Sequence, residues 1–264
     1  MKIELSLPAH PQTLIQLSEL LRKPDVNLTD VSQMIETDLS LAAAVMNAIS
    51  APLYGLKGRV QSVQQAVTYL GMREISAIAY ESGLRAAFPQ VPELLAVWER
   101  ARMRGLLMGR LAQALSMEAW GAHTAGLFEE CGKAVLYAHA PDAYPAMLRS
   151  AADDDTALVD LERRAFEADH AEIGARLCES WGLPAATINC VRFHVTTHAT
   201  LRLPQASHRY VSVLSVLVET LIKAPDKVEE VVGKIAPQAM MDQTSLLRAM
   251  RKVKDKIDDA LADA

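Results

Sequence analysis

The sequence predicts an all-helical protein with an internal boundary near residue 90. Apolar residues recur at steps of three and four along nearly the whole chain, which is the spacing of one helix face. We find no stretch of useful length in which apolar and polar residues alternate, as they do in a half-buried strand. The segment Phe88-Pro89-Gln90-Val91-Pro92 interrupts the helical pattern with two prolines, and we place a subdomain border there.

Five helices are predicted before that border, and several have recognisable ends. The first is short and amphipathic and stops ahead of Pro24. Asn27, with Asp30 at the third helical position, is typical of a capped helix start, and Asp38 is a second N-cap residue. Gly71 ends the fourth helix. The predicted ranges are 14–21, 28–36, 39–49 (ending at a turn over 51–55), 62–71 and 72–87.

The longest predicted helix follows the border and extends from Glu93 to Ser116. Gly105 and Gly109 in this helix would allow a neighbouring helix to cross closely. Six more helices are predicted from the apolar spacing, and two last segments look like additions. The six are 123–138, 142–151, 157–167, 169–181, 185–195 and 205–223, and the additions are 227–235 and 244–261.

The final segment leaves two interpretations open. One side of it is apolar and the rest is strongly charged, as in an amphipathic helix. That apolar side either docks on its own domain, which we favour, or joins two copies of the chain as a homodimer. Its apolar residues are Leu246, Met250, Val253, Ile257 and Leu261.

Composition excludes several classes of function. The formal net charge of -5 lacks the basic footprint of a nucleic-acid binder or a polybasic membrane surface. No stretch approaches the roughly 18 uncharged apolar residues of a membrane span. The three cysteines have no CxxC spacing, and the N-terminal residues show no apolar signal core. We therefore expect a cytoplasmic protein that binds neither nucleic acid nor membranes.

The most informative motif is the segment GLFEECGKAVL between Gly126 and Leu136. It resembles the segment of HD-type metal-dependent phosphohydrolases that contains their His-Asp pair, with Glu129-Glu130 in place of that pair. Other segments are similar to the HDOD family of HD-related output domains in bacterial signalling. They are LPAHPQTLIQL, IETDLSLAAAVMNAISAPLYGL, SVQQAVTYLGMREI, WERARMRGLLMGRLA, ERRAFEADHAEIGARLCESWGLP and INCVRFH.

The resemblance implies a two-lobed helical bundle and a regulatory role. It places an HDOD domain at residues 5–220, with an N-terminal lobe at 5–90, a degenerate HD-like lobe at 91–220 and a C-terminal helical extension at 221–264. Many relatives join this module to a receiver or a cyclic-nucleotide-making domain. Because 264 residues leave no room for one, we expect the input either to come from a separate protein partner or to lie outside this sequence.

The resemblance also aligns the metal-binding positions of the hydrolases with Arg100, Glu129, Glu130 and Ser215. A guanidinium cannot ligate a cation, and adjacent carboxylates offer charge but no nitrogen. We expect no bound metal, no cofactor and no catalytic residue. One hypothesis is that Arg100 bonds Glu129 or Glu130 and fills the former metal space. The alternative is that all three are exposed surface charges.

Other candidate side chains have weaker signals. His194 and His198 are four apart and could bind zinc together, but the nearby threonines suggest a fraying helix end. His170 is expected in the first turn of its helix. Cys131 is expected to be a core thiol rather than a nucleophile. A pocket near Lys133 is a further candidate site.

Three functions follow as expectations. The first is a non-catalytic signalling module that acts through protein-protein contacts, with or without a small ligand. The second is a residual phosphohydrolase for a nucleotide or cyclic dinucleotide, using Glu129, Glu130 and His194 around a hard cation such as magnesium. The third is a nucleotide sensor without turnover, with a pocket near Arg100 and Lys133 that accepts phosphate.

Overall fold

The computed structural model describes residues 7–21, 23–50, 58–204 and 209–262, with side chains for all of them except Arg73 and residues 256–262. Every regular element in these ranges is a helix, which confirms the predicted all-α fold class. The described chain divides into two compact units. The first comprises residues 9–87 with the chain end from Asp255, and the second comprises residues 88–254 with Leu7 and Pro8. The domain limits given above stay predictions.

The first unit contains five helices whose ends follow from the local sequence. The Asn27 side chain accepts hydrogen bonds from two backbone amides of its helix, and Asp30 accepts one from the Asn27 amide at 3.1 Å. Asp38 accepts from the Leu41 amide at 3.0 Å. Both predicted caps are therefore confirmed, whereas the turn predicted at 51–55 lies outside the described residues. The helices are α1 (Gln12–Leu21), α2 (Leu28–Glu36), α3 (Leu39–Ile49), α4 (Val63–Leu70) and α5 (Met72–Ala86).

The second unit contains the helices between Leu95 and Lys254, including the part of the last helix up to Lys254, and it positions the candidate site. A short 3-10 turn at Pro92–Leu94 precedes the longest early helix. The helices are α6 (Leu95–Ala114), α7 (Ala119–Phe128), α8 (Cys131–His139), α9 (Tyr144–Ala151), α10 (Asp155–Phe166), α11 (His170–Ser180), α12 (Ala185–Thr200), α13 (Arg209–Lys223), α14 (Val228–Ala239) and α15 (Gln243–Ala262). The first four residues predicted for the 205–223 helix lie outside the described ranges.

The single helix predicted over residues 123–138 is wrong, because α7 ends at Phe128 and α8 begins at Cys131. Glu130 at the break has φ -103° and ψ 9°, outside the helical range. Successive residues of an uninterrupted helix point about 100° apart, so two adjacent carboxylates would diverge there. The break instead lets Glu129 and Glu130 both enter the interior of the unit.

Helices α6 and α7 cross in backbone contact, as the glycines of α6 predicted. A Cβ atom at Gly126 would lie 2.7 Å from the carbonyl carbon of Arg104 and 2.8 Å from the amide nitrogen of Gly105. A Cβ at Gly109 would lie 3.3 Å from the Cβ of His123. No side chain larger than hydrogen fits at Gly126, and this crossing brings Arg104 close to the end of α7.

The apolar side of α15 is buried over its first half, which favours docking on the same chain. Leu246 and Met250 are 0% and 2% exposed. The side chains of Ile257 and Leu261 lie outside the described residues, and the homodimer stays a prediction. Among the described helices none is long and apolar enough to cross a membrane.

Candidate functional site

Arg104 occupies the centre of the second unit and bonds three carboxylates. Its side chain is 2% exposed. Its guanidinium donates from Nη1 to Glu129 Oε1 at 2.9 Å, from Nε to Glu130 Oε1 at 3.2 Å and from Nη2 to Glu219 Oε2 at 2.5 Å. Burial by itself lowers the pKa of Arg104, but the facing carboxylates outweigh it and raise that pKa above its usual range. The guanidinium is therefore a permanent cation.

Glu130 bonds two further cations through its other oxygen, Oε2. Arg100 donates from Nε to Glu130 Oε2 at 3.2 Å, and the Lys133 ammonium lies 2.8 Å from the same oxygen. Burial raises the pKa of Glu130, but Lys133, Arg104 and Arg100 together hold it well below its usual range. Lys133 also bonds Asp155 Oδ1 at 2.7 Å. Glu130 is thus a buried carboxylate that stays ionised.

Glu129 is held differently, because its second oxygen faces neutral groups. Ser215 donates its hydroxyl to Glu129 Oε2 at 2.7 Å, and the Nε2 of His198 lies 2.7 Å from that hydroxyl oxygen. Burial raises the pKa of Glu129 to about 7, although Arg104 and Ser215 act to lower it. Burial, and then the charge of Arg104, lower the pKa of His198 well below its usual range. Near neutral pH the titrating group is therefore Glu129, while His198 stays neutral.

These bonds decide between the two interpretations of the aligned positions. The predicted bond from Arg100 to one of the two glutamates is confirmed, with Glu130 as the acceptor. The alternative of exposed surface charges is wrong for the glutamates, which are 0% and 1% exposed. The side chains at Arg100, Glu129, Glu130 and Ser215 do not fit a metal ion, because the carboxylate oxygens already accept bonds from protein donors.

A cleft of about 690 Å³ lies next to this network. Its wall contains three basic side chains and five acidic ones, so the formal charge of the wall is -2. The basic groups are paired, since Arg100 bonds Glu130 and Lys133 bonds Asp155. The basic residues are Arg100, Lys133 and Lys223, and the acidic ones are Glu130, Asp153, Asp154, Asp155 and Glu219. Arg104 bonds two of these acidic residues, Glu130 and Glu219, and with its charge the balance is -1, which still favours a cation over a phosphate.

A second cluster of polar side chains lies where α10, α11 and α12 meet. One ligand atom from each of Asp155, His170 and His194 lies within 4.8 Å of the other two. The two histidines are 0% and 2% exposed. The Nε2 atoms of both rings are buried and make no hydrogen bond within the described part of the chain. Burial, and then the His170 ring, lower the pKa of His194 to about 3, so that imidazole is neutral.

The other ring nitrogens of these histidines have fixed partners. Glu162 Oε2 accepts from the His170 backbone amide at 2.8 Å, and Tyr144 donates to Glu162 Oε1 at 2.5 Å. With these donors on both oxygens, Glu162 acts as an acceptor for the Nδ1 of His170, 2.7 Å away. The Nδ1 of His194 lies 2.7 Å from the carbonyl oxygen of Val191, which can only accept. The Nδ1 of each histidine therefore faces an acceptor, and the neutral imidazole of His194 keeps a lone pair on Nε2.

Comparison with known proteins identifies the family. A model of the HDOD domain matches residues 7–197. The chain belongs to the HDOD family. Its fold is similar to an HDOD domain protein of unknown function from Geobacter sulfurreducens, with a TM-score of 0.75, 17% identity and coverage of 97% of this chain and 92% of the other. These similarities establish the fold of this HDOD protein.

Two further solved structures share the fold of this HDOD protein. One, from Shewanella amazonensis SB2B, is provisionally named a phosphohydrolase, with a TM-score of 0.69, 20% identity and coverage of 97% and 94% of the two chains. The other, from Marinobacter aquaeolei VT8, is provisionally named a signal transduction protein, with a TM-score of 0.73, 22% identity and coverage of 97% and 58%.

A relative by sequence is an uncharacterized protein of Treponema pallidum (strain Nichols). It is 26% identical to this HDOD protein over 212 residues, which are 79% of this chain. The matched part is 40% of the relative's length, so this chain spans well under half of that protein.

Several predictions about single side chains of the HDOD protein have definite outcomes. His170 is the first residue of α11 behind the N-cap Asp169, as predicted. The core-thiol interpretation of Cys131 agrees with an exposure of 1%. The predicted fraying at His194 and His198 is wrong, because α12 continues to Thr200. His198 is directed to Ser215 rather than into the cluster of His194.

Sequence reasoning missed Arg104 and Asp155. The signal for Arg104 was its spacing of four from Arg100, which places both cations on one helix face. Two like charges on a face that also contains apolar residues favour facing carboxylates. Asp155 follows two other aspartates, and no feature of that run distinguishes the one that turns inward. Glu162 and Glu219 lack any distinguishing local pattern.

Proposed function

We propose that this HDOD protein is a non-catalytic signal-transduction module that acts through contacts with a protein partner. The observation that carries the proposal is the bonding of the Arg104 guanidinium to Glu129 and Glu130, at the positions aligned with the metal ligands of the hydrolases. A hydrolase of that type needs an open metal position that lowers the pKa of bound water. A fixed cation in that place supplies charge but no hydroxide.

The same network offers a physical route for signalling. Arg104 joins α6 to the α7–α8 junction through Glu129 and Glu130, and to α13 through Glu219. Lys133 extends the network to α10 through Asp155. A partner that displaces one of these helices would act against several charge-assisted hydrogen bonds at once. Such a network favours discrete arrangements over gradual deformation, which is the property required of a switch.

A second candidate function is a metal-dependent phosphohydrolase acting on a nucleotide or cyclic dinucleotide. One observation favours it, namely the two free Nε2 atoms of His170 and His194 beside the carboxylate of Asp155. The acidic wall of the cleft counts against an anionic substrate, because its paired cations would have to exchange partners. The same balance counts against the nucleotide-sensor hypothesis.

Activity assays distinguish the two candidates. The purified chain is incubated with phosphomonoesters, phosphodiesters and cyclic dinucleotides in the presence of Mg²⁺, Mn²⁺ or Zn²⁺. We expect no hydrolysis above that of the metal ion alone. Metal-dependent turnover that Asp155→Asn abolishes and Asp160→Asn, an exposed site on the same helix, retains would refute the non-catalytic proposal.

Partner capture tests the positive half of the proposal. The chain is used as bait in an extract of its own organism, beside Arg100→Gln, which breaks the bonds to Glu130 and Asp153. Arg102→Gln on the same helix is the matched control. We expect one protein in near-stoichiometric amount with wild type and Arg102→Gln, and less of it with Arg100→Gln. Equal recovery with all three baits would contradict the signalling role of the network.

A further inference from the structure

We infer that Asp155, His170 and His194 bind one divalent transition-metal ion of the zinc class. The inference stands apart from the proposed function, since a structural or regulatory ion requires no turnover. The site is also distinct from the four positions aligned with the hydrolase ligands. It draws its ligands from α10, α11 and α12 instead.

The distances between the three ligand atoms suit a metal ion once the atoms move slightly closer together. Zn–N and Zn–O bonds of about 2.0–2.2 Å place the ligand atoms of a tetrahedral site roughly 3.3–3.6 Å apart. The three candidate atoms lie within 4.8 Å of one another. Closing that difference requires each atom to move by less than about 1 Å, which side-chain rotation provides. Two imidazole nitrogens and one carboxylate are also the donor set that zinc accepts with an open fourth position.

The orphaned nitrogens form the second, independent observation. A buried nitrogen without a hydrogen bond is costly, so the free Nε2 atoms of His170 and His194 need an explanation. Nδ1 of each ring faces an acceptor, Glu162 for one and the Val191 carbonyl for the other, which leaves Nε2 as the ring nitrogen that can reach an ion. Histidines that ligate metals are commonly oriented in this way by a carboxylate or a carbonyl on the far nitrogen.

Charge around the cluster also favours a cation. Asp155 lies in the wall of the cleft whose formal charge is -2, so the cleft supplies an entry path and an attractive potential. One group opposes binding, because the Lys133 ammonium bonds Asp155 Oδ1 at 2.7 Å. An incoming ion must share that carboxylate with Lys133. Removal of this ammonium should therefore strengthen metal binding, whereas removal of the Asp155 charge should weaken it.

The test measures Zn²⁺ binding to the chelator-treated full chain by isothermal titration calorimetry. We expect one ion per chain for wild type. Asp155→Asn should weaken the affinity by at least about tenfold, and Lys133→Met should strengthen it. Asp160→Asn, an exposed aspartate on α10, is the matched control and should bind as wild type does. Circular dichroism of each metal-free variant checks that it is folded.

A spectroscopic measurement keeps the inference testable if a variant fails to fold. In ¹⁵N spectra of wild-type histidine side chains, Zn²⁺ should shift the Nε2 resonances of His170 and His194 and leave Nδ1 protonated. The inference is overturned by the absence of one-to-one binding in wild type, by equal affinity of Asp155→Asn and wild type, or by shifts confined to other histidines. Binding without phosphoester turnover supports the inference and leaves the proposed function intact. Failure to bind removes only the metal site.

Discussion

Replacement of Arg104 by methionine tests whether the buried charge network holds the second unit together. Methionine keeps most of the side-chain length but leaves Glu129, Glu130 and Glu219 without the guanidinium that bonds them. Removal of one partner from a buried ion pair typically costs about 3–5 kcal/mol, because the other charge remains buried and uncompensated. We expect a loss of that size in the free energy of unfolding of Arg104→Met at about pH 8.

The loss should depend on pH, and this dependence separates charge from packing. Without Arg104, Glu129 should take up a proton more readily, since the cation that lowers its pKa is gone. Acidification to about pH 6 supplies that proton, and one pKa unit corresponds to about 1.4 kcal/mol. The stability deficit of Arg104→Met should therefore shrink by roughly 1–2 kcal/mol between these conditions. A loss caused by poor packing alone would stay constant.

The chain offers a selective probe for this measurement. Its three tryptophans, Trp98, Trp120 and Trp181, all belong to the second unit. Urea unfolding followed by tryptophan fluorescence therefore reports the unit that contains Arg104. Arg102→Met on the same helix is the control and should change stability by about 0.5 kcal/mol or less. A deficit below about 1 kcal/mol for Arg104→Met, or one equal at both pH values, would refute the reasoning.

Two further predictions concern Glu129 and the glycines. Burial raises the pKa of Glu129 in the folded chain to about 7, above the unfolded value near 4.5. The folded state therefore binds this proton more tightly than the unfolded state does. The resulting stabilisation is full below about pH 4.5 and is lost as the pH rises through about 7. That loss amounts to about 3 kcal/mol, and urea titrations of Glu129→Gln should lack this decline. Gly132→Ala should destabilise by about 3 kcal/mol or more, since its Cβ would overlap the carbonyl oxygen of His170 and lie 2.7 Å from the Gly174 amide nitrogen. The control Gly233→Ala meets only a side-chain atom at 3.8 Å and should stabilise α14 by about 0.5–1 kcal/mol. These expectations would be contradicted if Gly132→Ala melted at the wild-type temperature. They would also be contradicted if the free energy of unfolding of Glu129→Gln declined with pH as steeply as that of wild type.

The helical fold could be read from the sequence because its signals are local. The spacing of apolar residues, the caps at Asn27 and Asp38 and the helix end at Gly71 each involve residues within about four positions of one another. Glycines of α6 likewise indicated a close crossing before the partner helix was known. The bond from Arg100 to Glu130 was reached through the resemblance to a family, not through any local pattern.

The candidate site was decided by contacts between distant parts of the chain. Arg104 bonds Glu129 across 25 positions and Glu219 across 115, and no local pattern records either pairing. The same holds for the break between α7 and α8, which interrupts a helical pattern so that two carboxylates can reach interior cations. By itself the sequence determined where helices form, because hydrogen bonds and caps act within one turn. Only the tertiary structure decided which charged and imidazole side chains share the interior, because burial and electrostatic pairing depend on distance in space.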